Sequence, residues 1–160
     1  LAIETSGHAA FRENDFLDDG AYVIAKILML LPQLKADNRQ LSDLISDLQQ
    51  PLETQEVRFK IKLADYRPYG EQVIADLGAF VTATADFDTD TDNEEGLRVN
   101  LTGDYGQGWF LLRMSLHEPL LVLQVENDVL GKNQQLFEKL ATFFDHYQPL
   151  DKSALASLLK

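Results

Sequence analysis

The sequence holds no cysteine, so disulfide staples and thiolate metal sites are excluded. That absence fits a reducing compartment, and a cytoplasmic location is the expectation. Cations are scarce. Lys and Arg number 14 against 26 Asp and Glu, for a formal net charge of −12. A surface this acidic repels nucleic acid and anionic lipid, so neither is expected as a partner. It also works against an anionic small ligand, so any phosphate site must be a local positive pocket. Long apolar runs are missing too. The longest stretch, Ala21 to Leu31, is interrupted by Lys26 and falls well short of the ~20 apolar residues of a spanning helix. Leu1 to His8 lack the basic stretch and apolar run of a secretory signal. Leu1 is not a methionine, and Leu1-Ala2-Ile3 reads as the end of a buried strand. The expectation is an excised piece of a longer protein.

What is present is enough to fold. A chain of 160 residues that is 45% hydrophobic can build a core. Asp18-Asp19-Gly20 offers an N-cap to the apolar run that follows. A helix apolar on nearly all sides must be buried, and Pro32 and Leu34 are expected to close it. Leu41, Leu44, Ile45 and Leu48 recur at helical spacing and predict a second helix over Asn38 to Leu48. Gln49-Gln50-Pro51 breaks the pattern and marks a boundary between residues 1–50 and residues 51–160.

Beyond the boundary, Glu56 to Leu63 alternates polar and apolar residues, the mark of a strand with one wet face. Tyr66 to Thr82 reads as a helix and Phe87 to Glu95 as an acidic loop. Gly96 to Leu101, Trp109 to Met114 and Leu120 to Glu126 read as strands. Lys132 to Tyr147 is an amphipathic helix, and a short last helix fits Ser153 to Leu159. Strand, helix, three strands, helix is satisfied most simply by two helices on one face of an antiparallel sheet. The fold class is therefore α+β, a two-layer sandwich with a four-stranded sheet.

Two segments carry groups suited to binding. Glu4-Thr5-Ser6-Gly7-His8 gathers a carboxylate, hydroxyls and an imidazole around a glycine. Such a loop can hydrogen-bond vicinal hydroxyls, and it can equally be an ordinary polar turn. Arg113-Met114-Ser115-Leu116-His117-Glu118-Pro119 brings an arginine to the mouth of a tight loop. Arginine grips phosphate through two parallel hydrogen bonds, Ser115 and the loop amides can complete an anion nest, and His117 adds a donor. The plainer alternative is a hairpin in which Arg113 pairs with Glu118. A third segment, Asp86 to Glu95, invites a divalent cation but lacks the glycine and terminal glutamate of an EF-hand loop. It is read as a solvated acidic loop. No nucleophile–base set and no glycine-rich phosphate fingerprint is present.

Taken together, the first two segments resemble the α-D-phosphohexomutases, the phosphoglucomutase/phosphomannomutase family. Glu4-Thr5-Ser6-Gly7-His8 followed by Asp18-Asp19-Gly20 is similar to that family's Gly-Glu-x-Ser-Gly-His segment and its helix-opening Asp-Gly. Glu95-Gly96-Leu97-Arg98-Val99, Trp109 and Arg113 to Pro119 resemble the family's Asp-Gly-hydrophobic-Arg/Lys, its Trp-bearing strand and its Arg-x-Ser-Gly/Asn-Thr-x-Pro loop. Order and spacing agree over most of the chain. Leu116 stands where the common pattern has glycine or asparagine, and His117 where it has threonine.

The resemblance implies a four-domain parent. Residues 1–50 would be the helical end of the third domain, and residues 51–160 the TBP-like, phosphate-binding carboxyl-terminal domain. It implies that a phosphoserine and Mg2+ held by upstream domains interconvert hexose 1-phosphate and hexose 6-phosphate through a bisphosphorylated sugar. Neither group would be held by this chain, which would supply no catalytic residue and be inactive alone. Glu4, Ser6 and His8 would face the sugar, and Arg113, Ser115 and His117 the phosphate. The implied partners are a phosphosugar and the upstream domains. The alternative is a small α+β protein-interaction module.

Overall fold

A computed structural model describes residues 1–3 and 7–159 of the chain. They form two compact units, Leu1–Gln49 and Gln50–Lys160.

In the first unit, β1 (Ala2–Ile3) pairs antiparallel with β2 (Ala9–Ala10), and Ala10 bridges to Asp18. Helix α1 spans Gly20–Ala36. Its cap is Asp19, whose Oδ1 accepts the N–H groups of Ala21 and Tyr22 at 3.0 and 3.1 Å. That pairing satisfies two of the donors a helix start leaves open. Pro32 lies inside the helix rather than ending it. The hydrogen bond it forgoes belongs to the carbonyl of Leu28, on a side that solvent can reach. The expected burial of this helix is not met. Ile24, Leu28 and Met29 are 60%, 56% and 75% exposed, and only Leu34 is buried. The unit offers a two-stranded hairpin and short turns, too little surface to cover an apolar helix. The helix expected over 38–48 is a 3-10 turn at Leu41–Ile45 instead. Asn38 adopts a left-handed φ of 55° just before it, and so short a segment is a marginal α-helix without packing.

The second unit runs β3 (Glu53–Lys60), α2 (Tyr66–Thr82), β4 (Phe87–Thr89), β5 (Leu97–Leu101), β6 (Gly108–Met114), β7 (Leu120–Asn127), α3 (Lys132–Phe144) and α4 (Ser153–Leu158). All pairings are antiparallel, in the order β3-β7-β6-β5-β4. The sheet thus has five strands where four are expected from the sequence. The additional one, β4, falls in the stretch read as acidic loop. Phe87 pins it by packing its ring against Tyr105 and Phe110. Three residues are too few to show alternation.

One face of the sheet builds the core. Val57 and Phe59, Leu121 and Leu123, Phe110 and Leu112, and Val99 and Leu101 meet Val73 and Leu77 of α2 and Leu136, Leu140 and Phe144 of α3. Phe59 stacks on Phe144 with ring centroids 4.4 Å apart. The other face carries Arg58, Arg113 and Arg98, as the strand period requires, with Val122 and Leu111 as their cross-strand partners. Side chains close the ends of the layer. Glu53 accepts the N–H groups of Gly131 and Asn133 at 2.9 Å each and so caps α3. Buried Asn127 donates to the Tyr105 carbonyl at 2.9 Å and accepts from Gln107 and Val129. No described helix is long and apolar enough to cross a membrane.

Two outcomes follow from this packing. Phe59→Ala should destabilise the chain by about 3–5 kcal/mol, read as a lowered urea midpoint. Tyr147 donates to Asp76 Oδ2 at 2.8 Å, and burial, then that bond, push its pKa well above the ordinary 10.0. The stability it contributes is full below pH 10.0 and falls as pH rises further. There the unfolded phenol loses its proton while the folded one keeps it. An ultraviolet titration should show this phenol ionising late, and Asp76→Asn should move it to lower pH.

Candidate functional site

Strand β6 ends at the loop Ser115–Pro119, and antiparallel pairing returns the chain through β7. Ser115 closes the loop twice. Its N–H donates to the Leu120 carbonyl at 2.9 Å, and its Oγ accepts the Glu118 N–H at 3.2 Å. The Leu120 N–H donates to the Glu118 carbonyl at 2.8 Å. From the side, the Ile61 N–H donates to the Pro119 carbonyl at 2.8 Å. The serine proton remains available as a donor. Leu116, His117, Glu118 and Pro119 are exposed. Among the described residues, the Leu116 and His117 amides find no acceptor, so both are free to point at an anion.

Arg113 stands at the loop's entrance on the wet face of the sheet. It is not paired with Glu118, the alternative left open by the sequence. Its Nη1 donates to the Met114 carbonyl at 3.3 Å and to Glu95 Oε1 at 3.5 Å. The Glu95-Gly96 turn can come this close only because residue 96 is glycine. Its φ is +66°, and a Cβ there would run into the Leu112 carbonyl oxygen and approach Arg113 Cβ to 2.8 Å. Asn93 Nδ2 braces the same turn by donating to the Glu95 carbonyl at 2.7 Å and the Gly96 carbonyl at 3.3 Å. On the far side of the strand, Met114 lies against Gly70 of α2.

The acidic loop is held by protein cations and amides. Arg98 Nη1 donates to Asp90 Oδ2 at 3.0 Å while its guanidinium lies over the Trp109 ring at 4.8 Å. Asp86 Oδ2 accepts the Asp104 N–H at 3.2 Å. Among the described residues, no group of three His, Asp or Glu side chains is arranged to hold a metal ion.

In the other unit, His8 Nδ1 lies 2.8 Å from Asp18 Oδ2. The imidazole is thereby tied to the residue preceding the helix cap, a partner ten positions away that spacing did not suggest. Glu4 and Ser6 lie outside the described residues. Of the six residues expected to bind ligand, then, Arg113 and Ser115 meet at one loop, with His117 exposed on it. The sequence reading missed Glu95 as the partner of Arg113. The motif match at Glu95-Gly96-Leu97-Arg98 singled out the turn but not its closeness to Arg113.

No family model matches the chain. A phosphomannomutase/phosphoglucomutase of Pseudomonas aeruginosa is 33% identical over 152 residues, covering 90% of this chain and 27% of the relative. One from Pseudomonas syringae pv. tomato is 31% identical over 137 residues, covering 85% of this chain and 26% of the relative. The chain belongs to the phosphomannomutase/phosphoglucomutase family. It spans about a quarter of the length of these relatives. The crystal structure of a phosphoglucomutase/phosphomannomutase family protein from Burkholderia thailandensis superposes with a TM-score of 0.63 at 23% identity. That match covers 93% of this chain and 28% of the other, and it supports the fold.

The close approach at Gly96 gives a direct check on the site of this family member. Gly96→Ala should cost more than about 1 kcal/mol, because the left-handed φ and the blocked Cβ act together. Thermal melting should register the loss, and the amide resonances of Arg113 and Ser115 should shift as the Glu95 turn lifts away. A melting temperature and resonances equal to those of the parent sequence would contradict the geometry.

Proposed function

We propose that the chain is the carboxyl-terminal part of a phosphohexomutase and that it supplies phosphate and sugar recognition. The parent would interconvert hexose 1-phosphate and hexose 6-phosphate through a bisphosphorylated sugar, in the cytoplasm. Its phosphoserine and Mg2+ would be held outside this chain, so the chain alone would turn nothing over. Arg113, Ser115 and His117 would take the phosphate. Glu4, Ser6 and His8 would face the sugar.

The observation that carries this reading is the loop at the end of β6. An arginine fork, a serine proton and two amides without acceptors all border one exposed turn. These groups suit a phosphate dianion, which accepts several charge-assisted hydrogen bonds at once. Glu95 now holds Arg113 at 3.5 Å, with its own side chain 57% exposed. So loose and solvated a pair is worth little, and a phosphate can displace it at small cost. The chain's net charge of −12 sets a low ceiling on affinity for the isolated chain.

The second reading, an interaction module, draws on the exposed apolar residues of α1. The remainder of a longer phosphohexomutase would cover the same side chains, so that exposure does not favour the module.

Titration with glucose 1-phosphate tests the proposal, with binding followed by amide shifts. The amides of Leu111 to Pro119 should move at millimolar ligand. Arg113→Ala should weaken binding by ~1.5–3 kcal/mol, the weight of a charged hydrogen bond. Loop amides that stay still at tens of millimolar would sink the phosphate assignment for this chain.

A further inference from the structure

In so acidic a chain, the place of each cation carries information. The sheet register aligns Arg58 of β3, Val122 of β7 and Arg113 of β6 in a single row. Residues paired across neighbouring strands share a face, so both arginines rise from the wet side with Val122 between them. Val122 on that side is only 4% exposed. The two backbones stand roughly 10 Å apart, two strand spacings, a gap that two arginine side chains can close from opposite sides.

We propose that Arg58 is a second arginine of the phosphate site and takes the phosphate together with Arg113. This rests on reading Ser115–Pro119 as the phosphate loop. Arg58 already touches that loop's border, since its Nη1 lies 4.0 Å from Glu118 Oε2. Its Nε donates to Glu56 Oε1 at 2.7 Å. Glu118 stands beside Arg58 as Glu95 stands beside Arg113, and both carboxylates are more than half exposed. Each occupies, in the free chain, a place an incoming anion would take. Lys60 supports the same polarity. It pairs with Leu120, whose carbonyl receives the Ser115 N–H, so it stands in the row at the loop's base. The occupant that fits is a phosphomonoester dianion, held by guanidinium forks on two sides with the serine proton and the loop amides between them.

The test is a titration of the 160-residue chain with glucose 1-phosphate, read from the amides of Met114 to Pro119. Arg58→Ala should raise the Kd about tenfold, the order expected for one charge-assisted hydrogen bond. Arg58→Lys should recover only part of that loss, because a point charge replaces a fork. Glu118→Gln should tighten binding. Arg67→Ala removes an exposed charge from α2 and should leave the Kd unchanged. Melting temperatures equal to that of the parent sequence would show that Arg58→Ala and Arg67→Ala leave the fold intact. An unchanged Kd in Arg58→Ala alongside a weakened one in Arg113→Ala would overturn the role of Arg58 and leave the loop reading standing. An equal loss in Arg67→Ala would reduce the effect to overall charge and also overturn it. Loop amides that ignore the ligand, or binding indifferent to Arg113→Ala, would overturn both readings.

Discussion

Leu112 stands opposite Leu123, and Arg113 stands opposite Val122, across the paired strands β6 and β7. Much of the second unit depends on that register. Side chains alternate faces with a period of two, so a slip of one residue would drive Arg113 into the core and turn Leu112 out to water. The core resists the slip because Leu112, Leu121, Leu123 and Val125 are fully buried beneath α2 and α3. Hydrophobic packing on one face thus fixes which cations appear on the other. The Ser115-to-Leu120 hydrogen bond then sets where the strand ends and the loop begins.

The loop is braced by neighbours that do no binding themselves. Gly96 lets one turn lie against the Arg113 backbone, and Gly70 makes room for Met114 on the opposite side. The Ile61 N–H holds the Pro119 carbonyl. Three segments far apart in sequence therefore set the position of one arginine and one short turn. Such bracing matters for an anion site, because a few tenths of an ångström of looseness forfeits the fork geometry.

Charge is organised in the same way. The chain is acidic as a whole, yet its wet sheet face gathers Arg58, Arg98 and Arg113 on strands β3, β5 and β6. Each is met by a carboxylate from its surroundings: Glu56, Asp90 and Glu95. The pairs differ in consequence. Arg98 is stacked on Trp109 and bonded to Asp90 at 3.0 Å, an arrangement that anchors the acidic loop. Arg113 is held loosely and keeps its fork available. The carboxylates that meet Arg98 and Arg113 come from the Asp90–Glu95 stretch rather than from the strands that carry the arginines.

Alternation and helical spacing made most of the second unit legible in the sequence. Val57, Phe59 and Ile61 announce β3, and Leu136, Leu140 and Phe144 announce α3. Strand β4 was not legible, because three residues in an acidic stretch carry no period, and only the packing of Phe87 on Tyr105 and Phe110 reveals it. The burial expected of α1 also failed, since apolarity states a demand for cover and says nothing of its supply. At the candidate site, residue type marked Arg113, Ser115 and His117 as groups able to grip a phosphate, with a plain hairpin as the alternative. What spacing could not give was Glu95 beside Arg113, Asp18 beside His8, or Arg58 in the row of Arg113. The sequence by itself determined which faces are apolar and which residue types can hold a phosphate, because both follow from local chemistry and period. Only the tertiary structure decided which of those residues share a place, because strand register and close backbone approach bring together groups separated along the chain.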